Sequence, residues 1–403
     1  VTPLHRYTVT PLHRYTVTLS KLLKPLILLS LLLLIISCQK SEEVRSSEKD
    51  QFQVMYPEIE KIIGIFGSSN GKGIETRSHD IKIKETSEKK DDKANAAIYF
   101  VNYLADSKEK FAILSGDKRE LPVLASGDGF QDFYSIPDGP KQWVDERFNN
   151  IIDLRKNNKS MDPEVAKIWA DYDGLPSNVI TEPGDPGCNT FYINQAGPLT
   201  STAWAQECYS FDYFAPIIPG YCGNQFCTVD KAYLGCVAVA LGQIMKYNNF
   251  GHFTGGTTYN WSGMDNTVGS TSSTGNSKLM GDIFTWLNPS YDCYGTGSNN
   301  NAANYTLNQF GYNSSSIVNL SLTTVKSQIT NNHVVYCSGF PSSGAGHAWV
   351  IDGYKEIVYP CFTYVYYQCN WGWHGDYNGL YTDGFKPQST SYNNSRKLII
   401  NVY

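Results

Sequence analysis

The chain has 403 residues, of which 41% are hydrophobic and 13% aromatic. At about 150 residues per domain this supports two or three domains and excludes a chain disordered throughout. The formal net charge of -5 gives no basis for a nucleic-acid partner, and one long apolar run near the N-terminus excludes a polytopic membrane protein.

The charges are unevenly spread. Residues 39–184 hold 48 charged side chains in 146 residues, whereas residues 185–403 hold 19 in 219. That break predicts a domain boundary. Residues 1–18 repeat the octad Val-Thr-Pro-Leu-His-Arg-Tyr-Thr twice and begin it again. Two octads are too short for a solenoid, so the repeat is expected not to be structural. Lys21 and Lys24 then precede an apolar run from Leu26 to Ile36. Residues 19–37 therefore read as a lipoprotein signal peptide, with Cys38 as the acylated residue and 38–50 as a tether. The implied location is outside the cytoplasm, lipid-anchored to an outer membrane or cell surface, or released from it.

In the charged middle segment, apolar spacing predicts a helix over 52–66, and the polar stretch 68–97 reads as loop. Runs at 98–103, 111–115 and 121–125 read as strands of a small antiparallel sheet. A helix is expected over 140–157. Residues 161–187, ending in the Pro- and Gly-rich stretch Pro176–Gly187, read as a linker open to proteases. Repeated Asn and Ser mark 265–278 and 298–304 as loops, and the cluster Tyr359, Tyr364, Tyr366 and Tyr367 as a half-buried sheet. Beyond Cys38 there are nine cysteines: Cys188, Cys208, Cys222, Cys227, Cys236, Cys293, Cys337, Cys361 and Cys369. In an exported protein an odd set predicts up to four disulfides and one free thiol. The spacing Cys222-x₄-Cys227 has no second pair at ligand spacing, so no metal is predicted.

The run Gly235-Cys236-Val237-Ala238-Val239-Ala240-Leu241-Gly242-Gln243 predicts a buried helix that opens at Cys236. There the helix dipole favours a thiolate. By itself such a cysteine is as compatible with a buried structural thiol. Gly344-Ala345-Gly346-His347-Ala348-Trp349-Val350-Ile351-Asp352 reads as a loop entering a strand at His347. Gln368-Cys369-Asn370-Trp371-Gly372-Trp373-His374 supplies indoles able to wall off an imidazole. Thr202-Ala203-Trp204-Ala205-Gln206 supplies an amide able to donate to an oxyanion.

Cys, His and Asn-Trp in that order, with Gln ahead of the Cys, is the order of papain-like proteases. With Gly197-Pro198-Leu199, Phe310-Gly311-Tyr312-Asn313 and Gln243-Ile244-Met245-Lys246-Tyr247, the chain resembles the streptopain family of bacterial cysteine proteases, interpain-like enzymes included. The middle segment resembles that family's inhibitory propeptide through Phe111-Ala112-Ile113-Leu114-Ser115-Gly116-Asp117. The resemblance implies an α+β fold: a papain-like two-part domain at 188–403, its central helix packed on an antiparallel sheet, preceded by a small propeptide domain at 51–160. It implies Cys236 as nucleophile and His347 as general base and acid. Gln206 and the Cys236 N–H would form the oxyanion hole, Trp371 would orient His347, and Gly346, Ser298 and Trp373 would meet substrate. Asn370 is an alternative orienter, and His374 a weaker substrate contact. His252 reads as a loop histidine and Asp352 as structural, on the strand face opposite His347. The extra cysteines and Ala345, where the family often has a second Gly, depart from the pattern.

The implied function is an exported cysteine endopeptidase made as a zymogen, needing no cofactor. Its partners would be protein or peptide substrates, its own propeptide as inhibitor, and a membrane through the lipid. Two rivals share these features: an inactive papain-like surface lipoprotein acting as adhesin or inhibitor, and a cell-wall peptide amidase or transglutaminase.

Overall fold

The structure, a computed structural model, describes residues 51–68, 80–172, 192–206, 213–218, 231–252, 258–267, 274–292, 295–339, 345–383 and 396–403. The octad, the signal peptide, Cys38, the tether and Pro176–Gly187 lie outside the described residues.

Helix α1 (Tyr56–Ser68) forms where Ile59, Ile62 and Ile63 recur on one buried stripe. Strand β1 (Ile81–Lys90) falls in the stretch expected as loop. Among the described residues it is an edge strand paired only with β2 (Ala96–Ala105). Its lysines suit a place where further strand pairing must be blocked, so it carries little apolar signal. β3 (Lys108–Ser115) and β4 (Val123–Asp128) complete the expected meander. Helix α2 (Pro140–Lys156) has Pro in its first turn, where the missing N–H costs nothing. Helix α3 (Pro163–Tyr172) corrects part of the expected linker: Val165, Ile168 and Trp169 are buried there.

β5 (Tyr192–Ala196) leads into the second half. Helix α4 (Cys236–Asn248) is buried from Val237 to Met245 and ends on Asn249 in the left-handed region, at φ 49°. α5 (Thr274–Leu287) and α6 (Asn300–Gln309) flank the hairpin β6 (Ser290–Asp292) and β7 (Gly295–Gly297). Both helices overlap stretches expected as loops. For α6 the polar signal was that of a helix start: the Asn299 side chain accepts from the Ala302 N–H. β8 (Ser316–Asn319) precedes α7 (Leu322–Thr330), capped in the same way by Ser321.

The remaining strands are β9 (Val335–Gly339), β10 (His347–Val358), β11 (Thr363–Asn370), β12 (Gly379–Thr382) and β13 (Lys397–Ile400). The fold is α+β, with one large sheet in the order β1-β2-β3-β4-β12-β11-β10-β9-β13-β8 and β5 also paired to β10. Ala125, Ser126 and Gly127 of β4 pair with Tyr381, Leu380 and Gly379 of β12. The charged N-terminal half thus extends the sheet of the second half. On one sheet face lies a core that includes α1, α2 and α3; on the other, α4, α5 and α6 pack over Tyr336, Ala348 and Val350.

The cysteine expectation needs correction. Cys236, Cys337 and Cys369 are free and Cys361 is disulfide-bonded, so four disulfides cannot form among the nine. Cys337 and Cys369 lie on β9 and β11, with β10 between them. Two strand spacings of about 4.8 Å exceed the reach of a disulfide.

Candidate active site

The site begins with a glycine. Gly235 precedes α4 at φ +83°, and a Cβ there would lie 2.9 Å from the Thr296 carbonyl oxygen. Only glycine suits that backbone and that gap. It lets the chain turn so that Cys236 becomes the first helical residue, at the positive end of the dipole. The Thr296 hydroxyl donates to the Tyr233 carbonyl, which fixes the β6–β7 hairpin beside the helix start.

His347 opens β10 and is buried. Its Nε2–H donates to the Trp371 carbonyl at 3.1 Å, which leaves Nδ1 for the thiol. Trp373 stacks parallel to the imidazole, with centroids 6.3 Å apart and planes at 8°, as does Trp349 at 6.4 Å and 13°. Burial would raise the Cys236 thiol, yet the charge and hydrogen bond of His347, aided by the Ala348 and Val237 N–H groups, bring it below its ordinary value. Burial would lower His347, yet the Cys236 charge, its hydrogen bond and the Trp371 carbonyl raise it. Each shift has the other group among its causes, so the thiol and the imidazole titrate as one coupled pair.

A cleft of about 750 Å³ runs past the pair, lined by Gln206, Cys236, Ser298, Gly346, His347 and Trp373 among others. Six of the sequence candidates thus meet at one surface. Trp371 and Asn370 sit behind it. Trp371 holds His347 through its backbone carbonyl, while its ring lies at 6.1 Å and 38° to the imidazole. Asn370 does not reach His347: its Nδ2 donates to the Thr202 carbonyl at 2.7 Å, and its Oδ1 accepts from the Gly372 N–H. His374 occupies the following turn, its N–H on the Trp204 carbonyl, and is not among the cleft-lining residues. His252 packs with Phe250 away from the cleft.

Composition alone gave no sign of Asp138 and Gly139. The Asp138 carbonyl accepts from Trp373 Nε1 at 2.8 Å, and Gln142 Nε2 donates to the Ala345 carbonyl at 2.7 Å. A Cβ on Gly139, whose φ is +90°, would fall 2.5 Å from His347 Cδ2. The segment before α2 therefore lies on the imidazole and on the cleft rim. The only local signal was Gly139-Pro140, a helix-start pair.

A model of the Peptidase C10 family matches residues 204–381. The thiol protease/hemagglutinin PrtT of Porphyromonas gingivalis is 26% identical over 352 residues, covering 76% of this chain and 37% of PrtT. Streptopain of Streptococcus pyogenes is 25% identical over 319 residues, covering 69% of this chain and 73% of streptopain. The chain thus spans little more than a third of PrtT's length. A prointerpain A fragment of Prevotella intermedia shares the fold, with a TM-score of 0.55 and 18% identity, over 81% of this chain and 99% of the fragment. Gln206, Cys236, His347 and Trp371 all fall within the stretch that the Peptidase C10 family model matches, and over it the chain is similar to the streptopain-like cysteine proteases.

Proposed function

We propose that this chain is a cysteine endopeptidase made as a zymogen, exported, and anchored by lipid at Cys38. The observation that carries the catalytic part is the geometry: Cys236 at the first residue of α4 and His347 at the start of β10 line one cleft, with the imidazole held by the Trp371 carbonyl. The Cys236 thiolate attacks the scissile carbonyl, and the developing oxyanion takes hydrogen bonds from the Cys236 N–H and the Gln206 amide. His347 gives its Nδ1 proton to the leaving amine, which departs as the C–N bond breaks. A water then loses a proton to His347, attacks the thioester and releases the acid product, restoring thiolate and imidazolium. The Trp371 carbonyl keeps the ring aimed throughout. Gly346 and Ser298 line the cleft where substrate backbone and side chain would lie.

The zymogen part rests on Asp138, Gly139 and Gln142 lying on the dyad and the cleft rim. Cleavage between 173 and 191 would free this region from the enzyme covalently. Cys236→Ala should lower kcat/KM on a casein-derived peptide by about 10⁴-fold or more, and the purified precursor should no longer shorten by itself. The ion pair exists between the lowered thiol pKa and the raised imidazole pKa, so activity should fall on acidifying through the first and on raising pH through the second. Full peptidase activity in Cys236→Ala would sink the assignment.

A further inference from the structure

Buried polar groups that the dyad does not use gather beneath the segment that carries Gln206. Asp352 on β10 is 2% exposed. Its Oδ2 accepts from the Thr200 N–H at 3.0 Å and the Thr200 hydroxyl at 2.6 Å. Among the described residues its Oδ1 is buried without a hydrogen-bond partner, and its backbone carbonyl accepts from the Leu199 N–H at 2.9 Å. Two residues on, the Thr202 carbonyl takes the Asn370 amide, and the Thr202 hydroxyl donates to Gln243 Oε1 at 2.9 Å. Then Ala205 pairs with Trp373, and Gln206 follows. Strand β10, the end of β11 and helix α4 thus each hold one point of 199–206. A half-satisfied carboxylate buried in protein costs stability, and filling space would not require one.

We propose that Asp352 is a positioning residue for the oxyanion hole: through Thr200 it fixes the 199–206 segment and so the distance from the Gln206 amide to the Cys236 N–H. This rests on the assignment of Gln206 to the oxyanion. Asn370 ties this segment to the other half of the site. While it clamps Thr202, its Oδ1 accepts from Gly372 N–H and shapes the turn whose Trp371 carbonyl aims His347.

The arrangement has a pH signature. Burial pushes the Asp352 carboxyl up to about 6 against the lowering pull of its Thr200 hydrogen bonds. Of its titratable neighbours, Tyr247 on α4 and Cys369 on β11 feel its charge, and burial raises both, so they stay neutral in this range. Cys236 and His347 titrate as the dyad. A carboxyl raised in the fold stabilises it when protonated, and that contribution is lost as pH rises through about 6. Positioning works the other way, since the ionised carboxylate holds both Thr200 donors through stronger, charge-assisted hydrogen bonds than the neutral acid does. Stability and turnover should therefore move in opposite directions through this pH, whereas a purely structural residue would move stability and leave turnover unchanged.

The test uses the full chain, incubated until peptidase activity plateaus, with kcat, KM, Cys236 iodoacetamide labelling and thermal midpoint followed from about pH 5 to about pH 8. Asp352→Asn, a neutral mimic of the protonated acid, should lower kcat several-fold at neutral pH and lose the kcat inflection near 6. Thr200→Val should lower kcat about tenfold, with KM and labelling rate unchanged, since a misplaced oxyanion donor costs turnover and leaves the thiolate intact. An inflection that persists in Asp352→Asn, an unchanged kcat in Thr200→Val, or labelling that falls in step with kcat would each overturn the proposal. If Thr200→Val does not fold, the Asp352→Asn profile decides. Gln206→Ala run alongside separates the two assignments: no loss of kcat there would sink the Gln206 role itself.

Discussion

The two halves of the molecule solve the problem of buried polarity in different ways. In residues 52–172 charge is buried in pairs. Asp117, fully buried, accepts from Arg119 Nε and Nη2 at 2.8 and 2.7 Å and from Arg155 Nε at 2.9 Å, and Arg155 also reaches Asp91 at 2.8 Å. In residues 192–403 the interior around the cleft is aromatic and small, and its polar groups are mostly neutral: Thr202 on Gln243, Asn370 on Thr202, His347 on a carbonyl. The composition break in the sequence is this difference. A region pinned by ion pairs depends on each partner being present, whereas Cys236 and His347 are set by each other, by backbone groups and by the indoles around them.

The comparison can be broken at several points. The largest effect should come from Asp117→Ala, which takes from the buried Arg119 its carboxylate partner and from Arg155 one of its two. A loss of about 3–5 kcal/mol is expected in denaturant unfolding, confined to the N-terminal half, with Cys236 becoming easier to label in the uncleaved chain. Unfolding of both halves together at the same midpoint would show that the ion pairs support the whole sheet. Gly139→Ala comes next. A side chain at φ +90° against the imidazole should cost about 1–3 kcal/mol and raise iodoacetamide labelling of Cys236 before cleavage. Slower labelling would mean that this segment does not shield the thiol. The smallest effect should be that of Ser321→Ala. Removing the α7 cap should cost about 1 kcal/mol and leave kcat unchanged, so a change in turnover would show that α7 communicates with the cleft.

The helix and strand that bear Cys236 and His347 are legible in the sequence because their signals are local. Gly235 ahead of a small, apolar run marks a helix start, and His347 ahead of Ala-Trp-Val-Ile marks a strand start. Three other features have no such local mark. The Trp371 carbonyl that aims His347 is a backbone atom, invisible as a residue type, whereas the Trp371 ring and the Asn370 amide are visible in the sequence. The role of Thr200 depends on a partner 152 positions away. The pairing of Ala125–Gly127 with Gly379–Tyr381 joins segments from opposite ends of the described chain, and no periodicity within either announces it. Strand β1 was missed because an exposed edge needs charge more than apolar residues.

That last pairing has a consequence for handling the protein. If residues 52–172 depart after cleavage, the backbone donors and acceptors of Gly379, Leu380 and Tyr381 that faced β4 lose their partners, and Trp143 no longer covers Tyr381. The matured form would then present an open, aromatic strand to its neighbours. Its solubility should fall more steeply with concentration than that of the precursor, and purification is best done before maturation.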